Sequence, residues 1–234
     1  MKRIIKISLI LLLVGMAVIA AVPFFKEKRA ERKYENEFKK IQESVTEKKS
    51  DVNGLVKKNK DCIGYVEIQG TTISYPVMQT KDNPDFYLNH DFNRNYSFYG
   101  TPYLSAYCDV EKSDNLIIYG HNINGGKMFG ALEQYKDKEF FYKHRKIYFT
   151  TDKKREYEVF AVMSVNIHKF EYWKFVMARD EKEYDEFVDK VEEHSLWRQG
   201  NKPKYGEQML MLSTCDNGKG DDWRIVLIAK CVYS

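Results

Sequence analysis

The pattern of apolar and polar positions divides the chain into three textures. Lys2, Arg3 and Lys6 open it, and Ile7–Phe25 follows without one charge. About twenty apolar residues cross a bilayer, so this run is long enough for a signal-anchor helix. Small residues around Val18-Ile19-Ala20 support the competing reading of a cleaved signal peptide. The length of the run, and its continuation through Pro23-Phe24-Phe25, favour the anchor. Basic residues on both sides weaken the charge rule for orientation, and the exported texture of the remaining chain places the N-terminus inside. Residues 26–60 are highly charged, yet Tyr34, Phe38, Ile41 and Val45 recur at spacings of four, three and four. That is one apolar stripe on a helix, and it favours a helix packed on a domain over a solvated stalk. Asn53-Gly54 is expected to break it, with a second short helical piece before Asp61.

From Asp61 the period shortens towards two. Cys62–Ile68, a Gln69-Gly70 turn and Thr71–Val77 with Pro76 near its end read as strands. Asp82–Asn95, dense in Asn, Asp and Pro, reads as irregular with a helical turn. Gly100–Tyr107, Asn115–Tyr119, Lys146–Thr150 and Glu156–Val165 are further strand candidates, and Met128–Tyr135 and Lys136–Tyr142 suggest short helices. Asp180–Ser195 puts Tyr184, Phe187, Val188 and Val191 on one face and is the strongest amphipathic helix of this part. Met209–Leu212 and Trp223–Val232 read as buried strands around a polar loop, Asp216–Asp222. Many short strands with one inserted helix predict a mainly β fold with helices, a barrel or sandwich over residues 61–234.

Composition narrows the function classes. With 234 residues, 43% hydrophobic and 15% aromatic, the chain can bury one substantial core. A formal charge of +4, from 38 basic and 34 acidic residues that are interspersed, makes no case for nucleic acid. Cys62, Cys108, Cys215 and Cys231 are scattered and form no C-x-x-C pair, which excludes the usual zinc-ribbon and thioredoxin patterns. An even count permits disulfides outside the cell, but a core this large does not depend on them.

Candidate chemistry gathers at strand ends. Cys215 stands where Met209–Leu212 gives way to the polar loop, held by a sheet yet open to a loop-lined surface. Arg224 interrupts the apolar alternation of the following strand; if the two strands pair, it becomes a neighbour of the thiol, favouring thiolate and offering a donor to an oxyanion. An equally open reading makes Arg224 a structural ion-pair partner of Asp216, Asp221 or Asp222. Asn115–Asn122 repeats the layout, an apolar run ending in Gly120 and then His121, an imidazole able to exchange protons with a thiol or an amine. Cys62, Cys108 and Cys231, embedded in or beside apolar strands, read as core residues. His90, His144, His168 and His194 read as surface or satisfied histidines.

His121 in YGHN, Cys215 in LSTC and Arg224 in WRIVLIAK, in that order, resemble the sortases, cysteine transpeptidases of Gram-positive surfaces. The match is closest to class B: GYVEIQGTTISYPVMQTKDNPDFYLNHDF is similar to the opening of that catalytic domain, and the Asp180–Ser195 helix to its insertion before the thiol strand. The resemblance implies an eight-stranded β-barrel over 61–234, behind a membrane segment at 1–25 and a charged helical extension at 26–60. It implies Cys215 as nucleophile, His121 as general acid and base and Arg224 as oxyanion and substrate ligand, with Asn89, Ser213, Thr214 and Asp216 contacting substrate. It further implies surface proteins bearing a C-terminal sorting motif as substrates, a peptidoglycan or lipid-linked precursor amine as acceptor, and a single-pass protein with an extracellular catalytic domain. No metal or cofactor is implied. Two other readings use the same residues: a hydrolytic cysteine protease and a non-catalytic barrel that holds peptide or wall fragments. Caspase-like enzymes share the His-before-Cys order, but their interval is about 50 residues. Here it is 94, the Q-A-C-x-G signature is missing, and papain-like enzymes have the opposite order.

Overall fold

The computed structural model describes residues 52–233 and isolated helical positions between Lys6 and Lys39. The expected membrane run falls largely, and the Tyr34–Val45 stripe wholly, outside the described residues. Among the described residues no helix is long and apolar enough to cross a membrane. Contacts divide the chain into two units, Met1–Glu47 and Lys48–Ser234. In the second unit helix α1 (Val52–Lys58) contains the Asn53-Gly54 pair rather than ending at it. Its Val52 and Leu55 are buried, and that packing offsets the roughly 1 kcal/mol that a helical Gly costs.

Eleven strands follow: β1 (Cys62–Ile68), β2 (Ser74–Met78), β3 (Tyr103–Leu104), β4 (Asn115–Tyr119), β5 (Asn122–Ile123), β6 (Lys127–Met128), β7 (Lys146–Thr150), β8 (Lys154–Asn166), β9 (Ser195–Arg198), β10 (Met209–Cys215) and β11 (Trp223–Tyr233). Helix α2 (Lys138–Lys143) precedes β7, and α3 (Glu181–Glu193) lies between β8 and β9. Eight strands close a ring in the order β1-β2-β3-β4-β10-β11-β8-β7, with β7 pairing back on β1. Closure leaves no open edge in the ring, and β9 pairs on the outer stretch of β8 that β7 does not reach. Most pairs are antiparallel, but β10 runs parallel to β4, from Met209↔Asn115 to Ser213↔Tyr119.

Local sequence accounts for the breaks. The expected strand Gly100–Tyr107 shrinks to two residues because the chain turns at Ser105, where Gln79 Nε2 donates to the Ser105 and Cys108 carbonyls. The two helices expected over 128–142 are a 3₁₀ helix, Phe129–Lys136, and α2, separated by Asp137, whose carboxylate caps α2 at the Phe140 amide. Asp180 caps α3 by accepting from the Glu183 amide at 2.9 Å, and Tyr184, Phe187, Val188 and Val191 are buried. The central strands are buried on both faces, so β10 and β11 read as continuous apolar runs rather than alternations.

Leu212, fully buried at the middle of this wall, is a direct check on the packing. Leu212→Ala is expected to destabilise the protein by about 2–5 kcal/mol, seen as a lower midpoint in chemical unfolding followed by circular dichroism. An unchanged midpoint would contradict the burial of this side chain.

Candidate active site

Strand direction assembles the site. Because β4 and β10 are parallel, both end at one rim of the barrel; because β11 is antiparallel to β10, it starts there. Cys215, last residue of β10, stands opposite Arg224 in the β10–β11 register. His121 follows β4 by two residues, across Gly120, whose amide donates to the Ser213 carbonyl at 3.1 Å. Gly120 has to be small: a Cβ there would meet the Phe129 ring at 2.8 Å. Phe129 in turn donates its amide to the His121 carbonyl at 2.9 Å.

His121, Cys215 and Arg224 line one cleft of about 970 Å³. One wall comes from the segment after β8, including Ile167, Tyr172 and Trp173, and the other from Leu88, Tyr103 and Tyr107. The volume suits an extended peptide segment, and the aromatic lining offers apolar contact around a few polar groups. His121 Nε2 lies 2.8 Å from the Leu88 carbonyl. A carbonyl only accepts, so Nε2 carries a hydrogen and Nδ1 is left to exchange one. The Phe98 ring lies nearly parallel to the imidazole, with centroids 6.5 Å apart. Arg224 makes no ion pair with an acid among the described residues. Its Nη1 donates to the backbone carbonyls of Asp221 at 2.5 Å and Trp223 at 3.0 Å, which aims the guanidinium while its other donors keep no protein partner among the described residues. That resolves the reading of Arg224 as an ion-pair residue against it.

The expected substrate contacts divide. Ser213 and Thr214 line the cleft. Ser213 Oγ and Tyr172 Oη are 2.7 Å apart, and Thr214 Oγ1 donates to the Gly120 carbonyl at 2.7 Å. Burial pushes the Tyr172 phenol up to about 12, so it stays protonated at neutral pH. Asn89 is exposed, one residue beyond Leu88, and does not line the cleft. Asp216 is fully buried and turned away: Lys136 Nζ and Ser164 Oγ each reach its carboxylate at 2.6 Å. Burial alone would raise the Asp216 pKa, but the hydrogen bonds from Lys136 and Ser164 and the lysine charge outweigh it and hold the carboxyl below its usual range. Sequence reasoning missed Tyr172, Leu88 and Lys136. Leu88 acts through its backbone, which leaves no mark on residue type.

All four cysteines are free. Burial pushes the Cys62 thiol up to about 12 and raises that of Cys108, which suits inert core residues. Cys215 and Cys231 are part-exposed, and only Cys215 lines the cleft. His90, His144 and His194 each bond a backbone carbonyl through Nδ1, and His168 lies 3.5 Å from the exposed Asp222. Among the described residues no cluster of three metal-ligating side chains occurs.

Comparison with known proteins agrees with this arrangement. A Sortase domain profile matches residues 66–232. Sortase B of Listeria monocytogenes is 31% identical over 189 residues, 80% of this chain and 76% of that protein. Sortase B of Staphylococcus aureus is 29% identical over 242 residues, 99% of this chain and 98% of that one. The solved Staphylococcus aureus sortase B-substrate complex superposes with a TM-score of 0.79 at 26% identity, covering 87% of this chain and 98% of that one. The closed barrel and the match define a cysteine transpeptidase fold. The chain belongs to the sortase family and is of the sortase B type.

Lys136→Met leaves the Asp216 carboxylate buried with only a hydroxyl and an amide, and is expected to cost about 3 kcal/mol, the low end for breaking a buried pair because the lysine is part-exposed. The sign of its pH dependence comes from the lowered pKa. The stabilisation is complete above the unfolded value of about 4 and is lost as pH falls through the folded one. The gap in urea midpoint between parent and variant is therefore widest at neutral pH and narrows as the pH falls below about 4. A gap that stays constant into acid would contradict the assignment.

Proposed function

We propose that this transpeptidase cleaves a C-terminal sorting motif after Thr and transfers the surface protein to a cell-wall peptidoglycan amine. The observation that carries this reading is the convergence of Cys215, His121 and Arg224 on one peptide-sized cleft, with Cys215 and Arg224 paired in register. Cys215 Sγ attacks the Thr carbonyl carbon, the thiol proton passes to His121 Nδ1, and the carbonyl electron pair moves to the oxygen. Arg224 lies beside the thiol and steadies that oxyanion with its unused donors. Collapse of the intermediate breaks the peptide bond, His121 gives a proton to the departing amine, and a thioester remains on Cys215. The acceptor amine then attacks the thioester, His121 takes its proton and passes it to the departing sulfur, and the thiol and neutral imidazole are restored. The resemblance to a sortase B solved with its substrate supports a bound peptide along this cleft.

Ser213 and Thr214 contact that peptide from the cleft floor, and Asn89 meets it only at the outer edge. Asp216 acts from behind the wall, through the strand end that bears the thiol. The uncharged run Ile7–Phe25 behind Lys2, Arg3 and Lys6 supports a single-pass anchor with the catalytic domain outside the cell.

Cys215→Ala is expected to abolish cleavage of sorting-motif peptides while the circular dichroism spectrum is unchanged. Adding an oligoglycine or diaminopimelate-type amine to the parent is expected to give an amine-joined product. Hydrolysed peptide alone would favour the protease reading, and cleavage that persists without the thiol would remove Cys215 from the mechanism. The anchor is read by fractionation of cells expressing the full chain: it sediments with membranes and resists alkaline carbonate, whereas recovery in the soluble fraction would refute it.

A further inference from the structure

Past Ser213↔Tyr119 the parallel ladder between β4 and β10 ends, yet the two segments that leave it stay tied. The tie runs through the residue after the imidazole. Asn122 Nδ2 donates to the Cys215 carbonyl at 2.7 Å and to Glu133 Oε1 at 2.7 Å. Both amide hydrogens are used, so the orientation is fixed: an oxygen in that place would face two acceptors.

Behind Asn122 stands a chain of charged contacts. The other Glu133 oxygen pairs with Lys136 Nζ at 2.7 Å, and the same Nζ reaches Asp216 at 2.6 Å. The residue after His121 and the residue after Cys215 are thus the two ends of one network. Its middle lies on the 3₁₀ helix Phe129–Lys136. That helix sits so close that a Cβ on Gly130 would collide with the Ile123 carbonyl, which leaves the Asn122 loop no room to shift towards it. Asn217 Nδ2 adds a contact to the Asn122 carbonyl at 3.3 Å.

We infer that Asn122 is a positioning residue of the transfer reaction, which sets His121 against Cys215 by clamping the Cys215 carbonyl, with Glu133 and Lys136 holding its amide in place. It touches neither substrate nor the reacting atoms; it acts through the two groups that do. The inference rests on the transpeptidase reading. A misplacement of about 1 Å between reacting groups can cost about a hundredfold in rate, whereas peptide affinity comes from the cleft walls, which Asn122 does not line.

The test is steady-state kinetics of peptide cleavage with Asn122→Ala, alongside the thermal midpoint. The expected result is a kcat lower by about tenfold or more, with KM within about twofold of the parent. A folded variant with parental kcat, or one in which only KM rises, would overturn the inference. Should Asn122→Ala fail to fold, Glu133→Ala carries the test. This part-exposed residue anchors the amide's second hydrogen, and its loss is expected to lower kcat severalfold with KM unchanged; parental kcat would overturn the inference equally. If the parent itself turns over no peptide, the transpeptidase reading falls. The positional link is then read by iodoacetamide alkylation of Cys215, mapped by peptide mass. Slowing of about threefold or more in Asn122→Ala retains the link, and an unchanged rate overturns it.

Discussion

The parallel pairing of β4 with β10 is the constraint on which the rest depends. Residues 94 positions apart meet because both strands run the same way and stop at the same rim, with Tyr119 opposite Ser213. Antiparallel pairing would send one reactive end to the far side of the barrel. The third group comes from the same logic, since β11 begins where β10 ends and brings Arg224 opposite Cys215. Register matters as much as direction: a slip of one residue would turn every side chain of the strand to the other face. Burial of β10 and β11 on both faces makes such a slip costly.

Rigid walls are combined with polar ties that no hydrophobic pattern could supply. The wall segment after β8 is joined to the thiol strand by the Tyr172–Ser213 pair, and the loop before β3 is joined to the imidazole by the Leu88 carbonyl. The buried Asp216 is tolerated only because Lys136 and Ser164 satisfy it. These contacts cross-link the β8 region, the thiol strand, the loop before β3, the end of β4 and the 3₁₀ helix at the rim, where the sheet's own hydrogen bonds run out. Reactive groups are thereby placed on a scaffold whose supporting side chains are themselves held.

Much of the fold was legible in the sequence where a physical signal was local. β1, β4 and β7 match their expected bounds because apolar runs there are bracketed by turn residues. The α3 helix carried both an apolar stripe and an Asp180–Glu183 cap. β10 runs three residues past its apolar run because Ser213 and Thr214 find partners on other segments, which a one-dimensional pattern does not reveal. β9 alternates exposed and half-buried residues over four positions, too short a pattern to stand out. At the site, the order His121, Cys215, Arg224 could be read from motifs, but the setting of Asp216 could not. Its lysine lies 80 positions away, so a residue expected to face substrate is found buried against Lys136 and Ser164.

The most direct test of the transfer site is intact-mass measurement of the Lys48–Ser234 unit mixed with a panel of sorting-motif peptides and then with an amine. The expected result is an adduct equal in mass to the acyl half of one peptide, mapped to Cys215 and discharged when the amine is added. An adduct on Cys231 or another thiol, or one on Cys215 that the amine does not discharge, would contradict the claim that the β4–β10 rim builds a transfer site.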